Sequence, residues 1–159
     1  GLGDRFIFGG FQKDVARVLS AFDLSVFPSL WEGTPLTLFE ALAAGRPIVA
    51  TDADGLLDVL TDGHDALIVP KRDAPALARR MIELMDQPAL RARLAAEGRV
   101  TARDYDIAAF VRKMERLYDL LHAKSRATRR GVVETEDVSF LSTPTRAHRP
   151  TGPRAGTSV

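Results

Sequence analysis

Apolar and polar positions come in short blocks along this chain, and the blocks switch period. Residues 5–8, Arg5-Phe6-Ile7-Phe8, are a mostly apolar run closed by Gly9-Gly10, which predicts a strand. Asp14 then precedes Val15, Val18, Leu19 and Phe22, spaced three, four and seven apart, so a helix capped by Asp14 follows. Residues 24–27 predict a second buried strand, closed by Pro28-Ser29. A loop through Trp31-Glu32-Gly33-Thr34 leads to Pro35, a residue suited to the first position of a helix. That helix carries Leu38, Phe39, Ala41 and Leu42, ends at Gly45 and is barred from continuing by Pro47.

The alternation then repeats. Residues 48–51 predict a strand, 56–60 a short helix, Asp62-Gly63 a turn, and 66–69 a strand closed by Pro70. Asp73 caps a helix running to about Asp86, and Pro88 opens another to about Ala102. Ile107, Phe110, Val111, Met114, Leu117, Tyr118 and Leu121 form a long amphipathic stripe, expected to face a core. Four apolar strands alternating with helices predict an α/β fold, with a Rossmann-like parallel sheet covered by helices on both faces. Beyond Leu121 the pattern gives way to Arg, Thr, Pro and Gly. Residues 1–121 are therefore read as one domain and 122–159 as a disordered basic tail.

Composition narrows the chemistry. The chain has no cysteine, which excludes disulfides, thiol nucleophiles and cysteine-held metals and agrees with a cytoplasmic setting. No apolar run approaches the ~20 residues of a membrane helix. The opening Gly1-Leu2-Gly3-Asp4 has neither an initiator Met nor signal-peptide character, so the chain is expected to continue something longer. Residues 1–121 hold 15 Lys and Arg against 18 Asp and Glu, whereas 122–159 hold 7 against 3. The folded part is thus acidic, and no nucleic-acid partner is expected.

The segment with the most chemistry is 28–45. In an open parallel sheet, ligands sit beyond the carboxyl ends of the strands. Glu32 lies in such a loop, and the helix after it offers free N–H groups and a positive dipole end, suited to phosphate. Pro35 has no N–H, so donors must come from Gly33, Thr34, Leu36 or Thr37. Glu40 stands deeper in the helix and suits hydroxyl donors such as a ribose diol. Eight helical residues would set Glu32 and Glu40 ~12 Å apart. The carboxyls of a glycosidase stand ~5.5 Å or, at most, ~9.5 Å apart, so two contacts on one extended ligand fit better.

The pattern Pro28-Ser29-x-x-Glu32-Gly33-x-Pro35, with Glu40 after seven intervening residues and then Ala-x-x-x-Gly45-x-Pro47-Ile-Val-Ala-Thr-Asp, resembles the family-four glycosyltransferases. The resemblance runs from about Asp4 to Leu121. It implies the C-terminal half of a two-domain GT-B fold with its first strands missing. It also implies a nucleotide-sugar donor, retention of anomeric configuration and no metal or other cofactor. Glu32 would contact the transferred sugar as the catalytic carboxylate. Backbone groups of Gly33, Thr34 and Leu36 would serve the sugar and diphosphate, and Glu40 the ribose. The acceptor, a glycan, a lipid or a small molecule, would bind the missing N-terminal GT-B domain, as would any peripheral membrane contact. The family's upstream Arg and Lys that grip the diphosphate would precede Gly1. Where the family has Gly-Gly and then Glu, this chain has Asp54-Gly55 and then Asp58, which leaves that loop's contacts open.

Other features admit plainer readings. Asp52-Ala53-Asp54 resembles the metal-binding Asp-x-Asp of a different transferase fold, but metal binding is not expected of it. His64 reads as a surface turn residue. Trp31 fits either packing or shaping of the donor site. Against the enzyme reading stands a truncated or degenerate nucleotide-binding module without catalysis. A nucleotide-sugar epimerase is disfavoured by the Glu32–Glu40 context.

Overall fold

This computed structural model describes residues 2–129. Three parallel strands lie in the order β1 (Ser25–Phe27), β2 (Ile48–Thr51), β3 (Ala66–Val69). Ser25 pairs with Ile48 and Ile48 with Ala66, so all three strands present their carboxyl ends at one edge. The crossovers are helical: α1 (Val15–Ser20) precedes β1, α2 (Leu36–Ala43) joins β1 to β2, and α3 (Asp54–Leu57) joins β2 to β3. After β3 come α4 (Ala74–Asp86), α5 (Pro88–Asp104) and α6 (Ile107–Arg129).

The central strand is buried on both faces, as a parallel strand under helices must be. Ile48 and Ala50 join Leu19, Leu38, Leu42 and Leu56 on one face. Val49 and Leu67 meet Leu84 of α4 and Leu94 of α5 on the other. Local signals set the helix ends. Asp14 accepts from the Arg17 N–H at 3.0 Å, and Asp73 from the Ala76 N–H at 2.8 Å. At the end of α2, Gly45 takes φ 64°, its N–H donates to Leu42 O, and the Arg46 N–H donates to Ala41 O. That is a Schellman closure, which frees the chain to enter β2.

Four expectations need correction. Residues 5–8 are not a strand: a 3-10 turn covers Gly3–Arg5, and Phe6, Ile7 and Phe8 follow in the open, Phe8 89% exposed. An apolar run becomes a strand only with a neighbour to bond, and this one has none among the described residues. The short helix expected at 56–60 begins earlier, at Asp54. The stripe of α6 exists, but Ile107, Phe110, Val111, Tyr118 and Leu121 are exposed, because periodicity reports an apolar face and not what covers it. α6 also runs through the 121/122 boundary to Arg129. The rest of the expected tail lies outside the described residues. The chain divides into two compact units at Tyr105/Asp106. In the second, Asp106 caps α6 by accepting from the Ala109 N–H at 3.0 Å.

Candidate functional site

The loop from β1 to α2 stands at the carboxyl edge of the sheet, where a ligand of an open α/β sheet sits. Glu32, Gly33 and Thr34 lie in it, Leu36 is the first residue of α2, and Glu40 is the fifth. The fold therefore gathers Glu32, Gly33, Thr34 and Leu36 at one loop–helix junction. Glu40 stands one turn deeper. Leu38, Ala41 and Leu42 point to the core, while Leu36, Thr37 and Glu40 are exposed. Leu36 and Glu40 are four residues apart and so share one open face of the helix. Pro35 caps α2 in extended backbone and offers no side-chain hydrogen bond to the first turn. The N–H groups at this end and the positive end of the helix dipole suit an anion.

Glu32 is half-buried, and its Oε1 accepts from the Ser29 hydroxyl at 2.7 Å. Thr51, buried at the end of β2, donates its hydroxyl to the carbonyl of Ser29 and lies 3.4 Å from that of Phe27. From the start of α3, Gly55 presses on the same turn: a Cβ there would overlap the Gly33 carbonyl and lie 2.7 Å from Glu32 O. Sequence reasoning gave Ser29, Thr51 and Gly55 no role. The Ser-x-x-Glu spacing was the visible signal for the first; the other two act on the loop from the end of β2 and the start of α3.

The remaining candidates separate. Asp52 Oδ1 accepts from the Lys71 N–H at 2.7 Å, and Asp54 faces Lys71 Nζ at 3.9 Å. Both carboxylates thus serve the turn after β3. His64 precedes β3, at the amino edge of the sheet, opposite the loop that holds Glu32. Its Nε2 stands 3.5 Å from Glu97 and its Nδ1 3.9 Å from Asp65, as a turn residue would be held. Trp31, beside Glu32, is 74% exposed, which removes the packing reading within the described residues.

Residues 1–87 match the family described as Glycosyl transferases group 1. The lipopolysaccharide core biosynthesis glycosyltransferase LpsD of Rhizobium meliloti is 42% identical over 103 residues, covering 65% of this chain and 30% of LpsD. The structure of sucrose-phosphate synthase from Thermosynechococcus elongatus superposes with TM-score 0.73 at 33% identity, over 77% of this chain and 31% of that one. Anabaena Alr3699/HepE in complex with UDP-glucose superposes with TM-score 0.72 at 21% identity, over 75% of this chain and 33% of that one. The chain spans about a third of the length of the relatives it matches. A parallel sheet with Glu32 in the loop at its carboxyl edge, a match over more than half the chain and a shared GT-B fold together make this chain a member of the group 1 glycosyl transferases.

Proposed function

We propose that this chain is the donor-binding part of a retaining glycosyltransferase that moves a sugar from a nucleotide sugar to a glycan, lipid or small-molecule acceptor. The observation that carries the reading is the junction of β1 and α2: a tethered Glu32 at an uncapped helix start, with Glu40 exposed further along the same helix. In this reading Glu32 contacts the transferred sugar, and the backbone at Gly33, Thr34 and Leu36 serves the sugar and diphosphate. Glu40 accepts from the ribose hydroxyls. The UDP-glucose complex of the Anabaena relative supports a nucleotide-sugar donor. Displacement takes place on one face of the sugar, the diphosphate oxygen receiving the acceptor proton. Glu32 positions and stabilises rather than attacks. A second GT-B domain supplies the acceptor wall. No helix among the described residues is long and apolar enough to cross a membrane. We place the protein in the cytoplasm, with peripheral membrane contact through the second domain.

Calorimetry with UDP, GDP and ADP tests the ribose role. Glu40→Gln is expected to weaken nucleoside diphosphate binding by about 1–3 kcal/mol, the loss of charge-assisted hydrogen bonds. Equal affinities in the two proteins sink the ribose role, and absence of binding by the wild type sinks the donor-site reading.

No metal takes part in this proposal. EDTA is expected to leave nucleotide binding unchanged, and so is Asp52→Asn combined with Asp54→Asn, since those carboxylates hold the Lys71 turn. A Mn²⁺ or Mg²⁺ requirement that disappears in the double variant would overturn this.

A further inference from the structure

We infer that Ser29 is a positioning residue for the donor sugar, acting through Glu32 on a turn that Thr51 and Gly55 hold in place. The inference rests on the proposed contact between Glu32 and the sugar. A glutamate in a surface loop has three rotatable side-chain bonds and no fixed aim. Here one carboxylate oxygen, Oε1, is taken by the Ser29 hydroxyl at 2.7 Å, which leaves Oε2 to meet a ligand hydroxyl in a set direction. A clamp of this kind is useful only if the serine is itself held. Thr51 is 4% exposed and belongs to the central strand, and its hydroxyl binds the Ser29 carbonyl across 22 residues of sequence. The other end of the turn is fixed by contact without a side chain. Gly55 is buried at the start of α3, and any Cβ there would overlap the Gly33 carbonyl. The turn is therefore anchored at Ser29 by β2 and at Glu32–Gly33 by α3, with the serine hydroxyl closing it between them. Groups that contact a ligand need such outer support to hold a productive geometry.

Ser29 supporting the turn only as a structural prop is the competing account, and the two differ in what Ser29→Ala changes. The test uses residues 1–159 and calorimetry with three pairs: UDP-glucose and UDP, UDP-N-acetylglucosamine and UDP, GDP-mannose and GDP. The quantity read is the affinity for the nucleotide sugar divided by that for its nucleoside diphosphate. In the best pair, Ser29→Ala is expected to lower this ratio about fivefold, with nucleoside diphosphate affinity unchanged, in line with the loss of one hydrogen bond. Ser29→Thr, which keeps the hydroxyl, is expected to restore it. Ser29→Ala added to Glu32→Ala is expected to cost nothing more, because no acceptor then remains for the serine to act through. Gly55→Ala is expected to lower the ratio too, and since it can also disturb the fold, the Ser29 variants decide. A ratio that falls in Glu32→Gln but holds in Ser29→Ala overturns the inference and leaves the sugar contact standing. Equal losses for nucleotide sugar and nucleoside diphosphate in Ser29→Ala overturn it in favour of the prop. A wild-type ratio of one in all three pairs overturns the sugar contact, and the inference with it.

Discussion

Residues 1–159 purified alone are expected to transfer sugar no faster than the uncatalysed background. A two-substrate transfer is fast when donor and acceptor are held together in a water-poor cleft, and that orientation contributes ~7–11 kcal/mol. This chain spans about a third of the length of its relatives, and in the proposed function it offers one side of such a cleft through Glu32, Gly33, Thr34, Leu36 and Glu40. In the proposed function the departing diphosphate also needs the basic pair that the family resemblance sets upstream of the first glutamate. Without that pair's charge, the proposed stabilisation of the diphosphate is left to the start of α2. By analogy with single oxyanion donors, that loss costs a further ~2.7–4 kcal/mol. Radiolabelled nucleotide sugars and a broad acceptor panel provide the measurement, with and without a co-expressed second GT-B domain. Transfer only with the second domain supports the donor-half reading over a degenerate binding module. Turnover by the isolated chain, abolished by Glu32→Ala, would show that one wall suffices.

The elements that were legible in the sequence are those whose boundaries and burial have local causes. β2 and β3 fall on the expected 48–51 and 66–69, because each is a short apolar run stopped by its own punctuation and buried by helices close in sequence. α4 starts and ends where Asp73 and the run to Asp86 predict, since a cap is a property of four consecutive residues. Residues 5–8 carry a similar apolar signature and form no strand, because pairing depends on a partner that periodicity cannot report. The stripe of α6 has the same limit.

The site divides in the same way. Glu32 and Glu40 stand out in the sequence through the family resemblance of their spacing and flanks, and the structure puts Glu32 in the β1–α2 loop and Glu40 on an exposed side of α2. The Ser29–Glu32 bond joins residues three apart and was half visible. Thr51 and Gly55 reach the turn from the ends of other elements, across 22 residues of chain for both Thr51–Ser29 and Gly55–Gly33. Parallel pairing puts the carboxyl ends of β1 and β2 side by side and so makes these contacts possible. Which atoms meet there is decided by the packing of the β1–α2 loop against the end of β2 and the start of α3, and a linear pattern holds no record of that.

The same packing gives the largest expected effect on stability. Leu42 lies on the buried side of α2, fully enclosed with Leu38, Ile48 and Leu56. Its Cδ2 lies 3.0 Å from where a Cβ on Gly98 would stand, so α5 closes directly over it at a residue with no side chain. Neither neighbour can fill a gap: Gly98 has nothing to extend, and the strand beneath is fixed by pairing on both edges. Leu42→Ala is therefore expected to leave a cavity and to lower unfolding free energy by about 2–5 kcal/mol. Against the ~5–15 kcal/mol of an ordinary domain this is a large share. Leu36→Ala, on the opposite and exposed face of the same helix, removes as many atoms and is expected to change stability by no more than about 0.5 kcal/mol. Equilibrium urea unfolding followed by far-ultraviolet circular dichroism compares the two directly. The comparison also bears on the proposed site, since a helix that buries Leu42 turns Leu36 and Glu40 outward, where donor contact is proposed. Equal midpoints for the two variants would mean that α2 is rotated, and the proposed ribose contact of Glu40 would then lose its support.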